Sequence, residues 1–135
     1  MNYATFYSTN DHDSVECIPS EYRAMVKRAH ELTQQLGEHD TKQALVLQTA
    51  DGQLYDGIMD YKSPHAEDEI QTLMAEIGKD SPVVRLICCW SDGRVELPPA
   101  DFCAKLCHFN PANKDAEMLL YVVKSVPIRS YMQNI

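Results

Sequence analysis

Apolar side chains recur along the chain in a pattern that predicts a helix and then a β-hairpin. Pro19 and Ser20 open the first segment and Gly37 closes it, as is typical of helix ends. The second segment has two short apolar runs around Asp51-Gly52, a dipeptide that favours tight hairpin turns. The helix prediction depends on apolar residues spaced by three and four positions, which are Tyr22, Met25, Val26, Ala29, Leu32 and Leu36.

A second amphipathic helix is predicted to begin at Ser63. Ser63 suits the N-cap, and Pro64 would occupy the first helical position, where its missing N–H costs nothing. Gly78 would end the helix. The apolar positions that would form its buried face are Ile70, Leu73, Met74 and Ile77.

The second half of the chain alternates strand and helix. The run "SPVVRLICCW" is almost continuously apolar and indicates a central strand buried on both faces. After the turn segment "SDGRVELPP", a short helix "ADFCAKLCHF" is opened by Pro98-Pro99 and stopped near Asn110-Pro111. A strand "AEMLLYVV" follows, and "PIRSYMQNI" would add a terminal turn or short helix.

This order predicts an α/β protein, a three-layer α/β/α sandwich with a mixed sheet that includes an N-terminal hairpin. Strands that alternate with helices late in the chain imply parallel pairing there. We expect residues 1–17, which are polar and aperiodic, to form a flexible arm. Residues 18–135 would form a single domain, since 135 residues are too few for two sizeable cores.

Composition narrows the class of protein. The net charge of −8 argues against nucleic acid as a partner, because phosphate binding needs clustered Lys and Arg. No apolar run has the length of a membrane span and no signal pattern opens the chain, so we expect a cytoplasmic protein. Its five cysteines, an odd number, would be thiols or metal ligands and not a disulfide framework.

Candidate chemistry lies at the starts of the two helices that follow strands of the predicted sheet. In open α/β sheets, sites form at the carboxyl ends of strands. His65 and Glu67 would come from one helix start, and Asp101 and Cys103 from the other. Zinc accepts nitrogen, sulfur and carboxylate ligands. The positive potential of two helix N-termini would lower the pKa of the Cys103 thiol and favour thiolate.

These residues resemble a motif of the cytidine deaminase superfamily, above all the small cytidine and blasticidin-type deaminases. Zinc deaminases carry H-x-E and then P-C-x-x-C, with the glutamate as general acid and base. The resemblance spans about residues 20–130 and includes "HAE" and the approach "DGRVELPP". It implies that His65 binds zinc, that Glu67 shuttles a proton, and that Pro99 and Cys103 match the motif proline and second cysteine.

The chain departs from that motif at its first cysteine, which falls on Ala100. Alanine cannot bind a metal, so Asp101 or Cys107 would have to replace it, or the metal would be absent. Asp101 is the first choice, because Cys107 would lie a full turn deeper. Asp101 and Cys107 both have a purely structural explanation as well. An aspartate is favoured at a helix start, and a cysteine often packs as a small apolar residue.

Two further departures concern the substrate. The loop before His65 is shorter than the matching loop of nucleoside deaminases, which holds the ribose. Asp60 is our candidate for a substituting carboxylate. Ala104 stands where those relatives usually have an arginine after the second cysteine. Trp90, at the end of the central strand, would line a pocket or close the core.

Three functional hypotheses follow. The first is a zinc-dependent hydrolase that releases ammonia from an amino-substituted heterocycle, cytidine-like or blasticidin-like. The second is a catalytically inactive relative that serves as a binding or regulatory protein. The third is a protein-interaction role, such as that of an immunity or effector-related protein. The resemblance also implies a homodimer or homotetramer that acts on a small molecule.

Overall fold

The computed structural model describes most of the chain from residue 20 to residue 131. The arm predicted over residues 1–17 lies outside the described residues, as do Gly37, Ser63, Pro64 and His65. Within the described part, no helix has the length and apolar character needed to cross a membrane. The described ranges are 20–36, 42–60, 66–90, 95–121 and 124–131, with the backbone alone over residues 66–70, 120–121, 124–125 and 131.

Four α-helices and five strands make up the described part. A 3-10 turn at Ser20–Tyr22 leads into the first helix, and a second one, Pro111–Asp115, follows the third. The helices are α1 (Arg23–Leu36), α2 (Ala66–Ile77), α3 (Ala100–Phe109) and α4 (Ile128–Tyr131). The strands are β1 (Lys42–Thr49), β2 (Leu54–Asp60), β3 (Val83–Trp90), β4 (Glu117–Tyr121) and β5 (Lys124–Pro127).

The strands form one mixed sheet in the order β2-β1-β3-β4-β5. β1 is antiparallel to both β2 and β3, whereas β3 and β4 are parallel, as predicted for the second half of the chain. β5 pairs antiparallel with β4 and was not predicted. Because β2 and β3 both run opposite to β1, their carboxyl ends lie at the same edge of the sheet.

Two apolar layers confirm the three-layer α/β/α sandwich. Alternation along β3 sends Leu86 and Cys88 to the layer beneath α2 and α3, and Ile87 and Cys89 to the layer beneath α1. Leu86, Ile87 and Cys89 are fully buried. This two-sided burial explains why the central strand reads as an unbroken apolar run.

Glycines with positive φ stand at the predicted hairpin and at the predicted helix stop. Gly52, in the turn between β1 and β2, has φ +88°, and Gly78, directly after α2, has φ +84°. The Gly78 N–H donates to the carbonyl of Met74 at 2.9 Å and completes the last turn of the helix. Both turns use a backbone conformation that is costly for other residues.

Asn113 joins the beginning of β3 to the end of α3. Its side-chain oxygen accepts a hydrogen bond from the Val83 N–H at 2.8 Å, and its amide nitrogen donates to the Leu106 carbonyl at 2.9 Å. The Asn113 side chain is buried, with 1% exposure. The carboxamide therefore satisfies two backbone groups that water cannot reach.

Candidate functional site

The carboxyl ends of β2 and β3 and the helix starts that follow them form what we call the site edge. Asp60, the last residue of β2, lies opposite Lys42 on β1, and Trp90, the last residue of β3, lies opposite Gln43. Both strands therefore end at the same edge of the sheet, on either side of β1, and α2 and α3 follow these two ends. This is the edge at which the sequence predicts a site.

The structure describes only part of the HAE motif that the sequence predicts at this helix start. His65 lies outside the described residues, and Glu67 lies in the first turn of α2 with its side chain outside them. The roles of His65 as a metal ligand and of Glu67 as a proton carrier therefore stay predictions.

Cys103 is a buried thiol of the apolar layer under α3. It has 0% exposure, and its Sγ lies 3.9 Å from Sδ of Met118 on β4. Burial raises the pKa of the Cys103 thiol to about 12, and the neighbouring Cys107 adds to this rise. The predicted lowering of this pKa is wrong, because desolvation of the thiolate outweighs the potential of the helix N-terminus.

Asp101 and Cys103 face different surroundings, although both lie near the start of α3. Residues two positions apart on a helix, such as Asp101 and Cys103, point about 200° apart around its axis. The Asp101 side chain is exposed, whereas Cys103 is enclosed in the core. Ala100, the first residue of α3, supplies no donor atom.

Zinc, which the resemblance implies, would need three or four ligands at the site edge, of which His65 lies outside the described residues. Among the residues that the structure describes, no three His, Cys, Asp or Glu side chains converge as metal ligands. Cys107, the other candidate, is half-buried and packs against the same apolar layer as Cys103. Burial raises its pKa, and the charge of Lys114 partly offsets that rise.

Trp90 forms a polar pair with Glu96, a residue that sequence reasoning missed. Residues 95 and 96 fold back along β3: Val95 bridges to Cys89, and the Glu96 N–H donates to the Cys88 carbonyl at 3.0 Å. The Trp90 indole N–H donates a hydrogen bond to the Glu96 carboxylate. The only sequence signal for this pair was a charged residue between apolar Val95 and Leu97.

The Trp90–Glu96 pair lies on the sheet face that carries α2 and α3. Alternation along β3 places Trp90 on the same side as Cys88. The backbone hydrogen bond to Cys88 sets Glu96 beside that residue. Burial raises the pKa of the Cys88 thiol, and the charges of Cys89 and Glu96 add to the rise. The pair and Cys103 therefore share one face of the sheet.

Gln43 is a second residue that sequence reasoning missed, and its side chain lies on the sheet face under α2 and α3. Asp60 lies on the opposite face of the sheet. The Gln43 side chain has 2% exposure, and alternation with Leu45 puts it on the face under α2 and α3. Asp60 follows Met59, which packs on that same face, so alternation directs Asp60 toward the α1 side. The predicted substrate role of Asp60 stays a prediction that this register does not favour.

Comparison with solved structures identifies the fold. The cytidine deaminase of Mycobacterium tuberculosis superposes with a TM-score of 0.65 at 11% identity, over 86% of this chain and 97% of that one. This chain has the cytidine deaminase-like fold. The enzyme of Mycobacterium leprae gives a TM-score of 0.58 at 15% identity, over 79% of this chain and 92% of that one.

Other comparisons limit the conclusion to fold. The cytidine deaminase of Bacillus anthracis matches with a TM-score of 0.55 at 13% identity, over 82% of this chain and 89% of that one. No protein-family model matches the chain, and no curated protein matches it. At these identities the cytidine deaminase-like fold is shared, and activity does not follow from it.

Proposed function

We propose that this chain is a small-molecule-binding or regulatory protein that keeps the cytidine deaminase-like fold and has lost zinc-dependent hydrolysis. The observation that carries the proposal is the direction of the α3 side chains. Asp101 is exposed, Cys103 is enclosed beside Met118, and Ala100 has no donor. Zinc would need two ligands from these three positions of α3, and the only donor that they hold away from solvent is the buried Cys103 thiol.

The ligand would bind at the site edge, where β2 and β3 end on either side of β1. Binding sites of α/β proteins commonly use this edge because loops and helix starts converge there. The net charge of −8 supports a small molecule over nucleic acid as the partner. A homodimer or homotetramer and a cytoplasmic location stay part of the proposal.

A second candidate function is hydrolytic deamination of an amino-substituted heterocycle. It is favoured by the topology, which brings the starts of α2 and α3 to one edge of the sheet. In this version His65, Cys103 and Asp101 would hold zinc, Glu67 would carry the proton, and Trp90 and Asp60 would contact the substrate. It requires Asp101 to leave its solvent-facing position.

Activity measurements separate the two functions. Purified protein supplied with zinc would be assayed for ammonia release from cytidine and related amino heterocycles, and calorimetry would measure binding of the same compounds. We expect binding without turnover in the wild type. Ammonia release that disappears in Glu67→Gln, with the fold intact, would contradict the proposal and establish the deaminase.

A variant that restores the missing donor sharpens the same test. Ala100→Cys re-creates the first cysteine of the motif at the position where the chain lacks it. Recovery of zinc binding or turnover in Ala100→Cys, absent from the wild type, would identify that single replacement as the cause of the lost chemistry. Ala104→Cys, on the exposed side of the same helix, serves as the control for an added thiol.

A further inference from the structure

Three sulfur atoms lie in the apolar layer under α3, on the side of the helix that faces the sheet. Cys103 is fully buried, and its Sγ lies 3.9 Å from Sδ of Met118 on β4, which is also fully buried. Cys107 follows one turn later on α3, is half-buried and packs against the same layer. Two neighbouring elements therefore bring two thiols and a thioether to one place.

We propose that Cys103, Cys107 and Met118 form a three-sulfur binding site for a soft monovalent metal ion, Cu(I). The inference goes beyond the proposed function, because it uses the inner side of α3 and no organic ligand at the site edge. It also differs from the zinc site that the resemblance implies, since it needs neither His65 nor Glu67.

The distance between the two buried sulfurs suits a shared metal ion. Metal–sulfur bonds of about 2.3 Å, the length found for zinc and thiolate, place two sulfurs of a trigonal site about 4 Å apart. The Sγ of Cys103 and the Sδ of Met118 are 3.9 Å apart. An ion bound to both sulfurs would therefore replace their present contact without separating α3 from β4.

Cys107 supplies the third sulfur. Residues four positions apart on a helix have Cβ atoms about 5–6 Å apart, so their thiols can reach a common ion. Burial raises the pKa of Cys103 to about 12, and the charge of Cys107 adds to that rise, as expected for thiols on adjacent turns. Because Cys107 is half-buried while Cys103 and Met118 are enclosed, it provides the route by which an ion enters.

The donor set selects Cu(I) over zinc. Thiolate and thioether sulfurs are soft ligands, which favour Cu(I). Zinc sites in proteins are tetrahedral and use thiolate, imidazole or carboxylate ligands, and a thioether is not among them. Among the described residues no three His, Cys, Asp or Glu side chains converge, so a third donor beside the two thiols has to be the methionine.

Charge and protons balance at this site. Each thiol gives its proton to solvent as its bond to Cu(I) forms, which leaves one net negative charge on the ion and its two thiolates. Burial raises the pKa of Cys107 and the charge of Lys114 partly offsets that rise, so the ammonium is close enough to balance part of the new charge. The surrounding apolar layer excludes water, which favours Cu(I) over the more strongly hydrated Cu(II).

Competition with the Cu(I) chelator bicinchoninate tests the site. The full chain, reduced and free of metal, would be titrated with Cu(I) in the absence of oxygen. We expect one equivalent of Cu(I) per chain, and X-ray absorption at the copper edge should give three sulfur neighbours at about 2.3 Å. No binding in competition with the chelator, or nitrogen and oxygen neighbours in place of sulfur, would overturn the site.

Matched substitutions assign the three ligands. Met118→Leu, Cys103→Ser and Cys107→Ser should each weaken Cu(I) binding at least about tenfold, because each removes one sulfur. The controls are Met25→Leu and Cys89→Ser, which change buried residues of the layer under α1 and should leave the affinity unchanged.

The methionine pair decides the proposal even if a buried serine prevents folding, because exchange of methionine for leucine conserves volume. Weaker Cu(I) binding in Met118→Leu than in Met25→Leu supports the site. Equal affinity in these two variants would overturn it, and so would binding that survives Cys107→Ser. Either result leaves the proposed function standing, since its organic ligand is tested at the site edge without copper.

Discussion

The carboxamide of Asn113 offers a sharp test of how the sheet and the helix beside the site are held together. It accepts from the Val83 N–H at the start of β3 and donates to the Leu106 carbonyl near the end of α3, at 2.8 and 2.9 Å. Asn113→Ala would remove both bonds and leave the Val83 N–H without its partner, whereas the Leu106 carbonyl would keep the hydrogen bond that it accepts from the Asn110 N–H at 3.1 Å. A buried N–H left unpaired costs about 1–3 kcal/mol.

The expected loss in the free energy of unfolding is therefore about 1–3 kcal/mol for Asn113→Ala. For a domain of this size, 1 kcal/mol corresponds to about 3 °C in melting temperature, so the melting point should fall by roughly 3–9 °C. Urea unfolding followed by circular dichroism measures the loss, and the slope with urea should stay unchanged.

Asn110 supplies a matched control in the same connection. Its side chain also makes two hydrogen bonds, donating to the Lys79 carbonyl at 2.9 Å and accepting from the Ala112 N–H at 3.0 Å, but in contact with solvent. Water can replace these partners, so Asn110→Ala should cost less than about 1 kcal/mol. Equal losses for Asn110→Ala and Asn113→Ala would refute the reasoning, because burial would then not set the cost.

Three further predictions concern titration, thiol reactivity and a turn. Hydrogen bonds from Thr49 and from the backbone N–H of residue 53 lower the pKa of Asp51. The ionised Asp51 carboxylate therefore stabilises the fold above the usual aspartate pKa, and this stabilisation is lost as the pH falls through the lowered pKa. Acid titration of wild type against Asp51→Asn checks this, and parallel curves would contradict it. Buried Cys103, with its pKa raised to about 12, should resist iodoacetamide in the native state at neutral pH, and half-buried Cys107 should react before Cys103. Peptide mass spectrometry measures the labelling of each thiol, and faster labelling of Cys103 than of Cys107 would disprove the assigned burial. Gly78→Ala should lower stability by about 1 kcal/mol because φ is +84° there, and unchanged urea unfolding would count against that backbone conformation.

The elements that the sequence predicts well are those whose signals are local. Asp51-Gly52 marks the hairpin because its turn requires a residue with positive φ, and Gly52 has it. The unbroken apolar run of β3 indicates burial on both faces, and the sheet places it at the centre. β5 was not predicted because Lys124–Pro127 has only four residues and forms a strand through its pairing with β4.

The site was harder to predict because it depends on contacts between distant segments. Glu96 reads as part of a polar approach loop, and only the return of that loop along β3 brings its carboxylate to Trp90. Gln43 reads as the polar start of a strand, and only the register shows it buried opposite Trp90. For Cys103 the helix start suggested an activated thiol, whereas packing against Met118 desolvates it.

The zinc affinity of the wild type compared with Ala100→Cys tests the central claim most directly. Tag-free protein of each kind would be loaded with zinc, analysed for metal content and titrated against a competing chelator. The account predicts far less than one equivalent in the wild type and binding at least about tenfold tighter in Ala100→Cys, since that variant adds a thiolate ligand. One full equivalent of zinc in the wild type, released by Cys103→Ser and unaffected by Ala100→Cys, would contradict it.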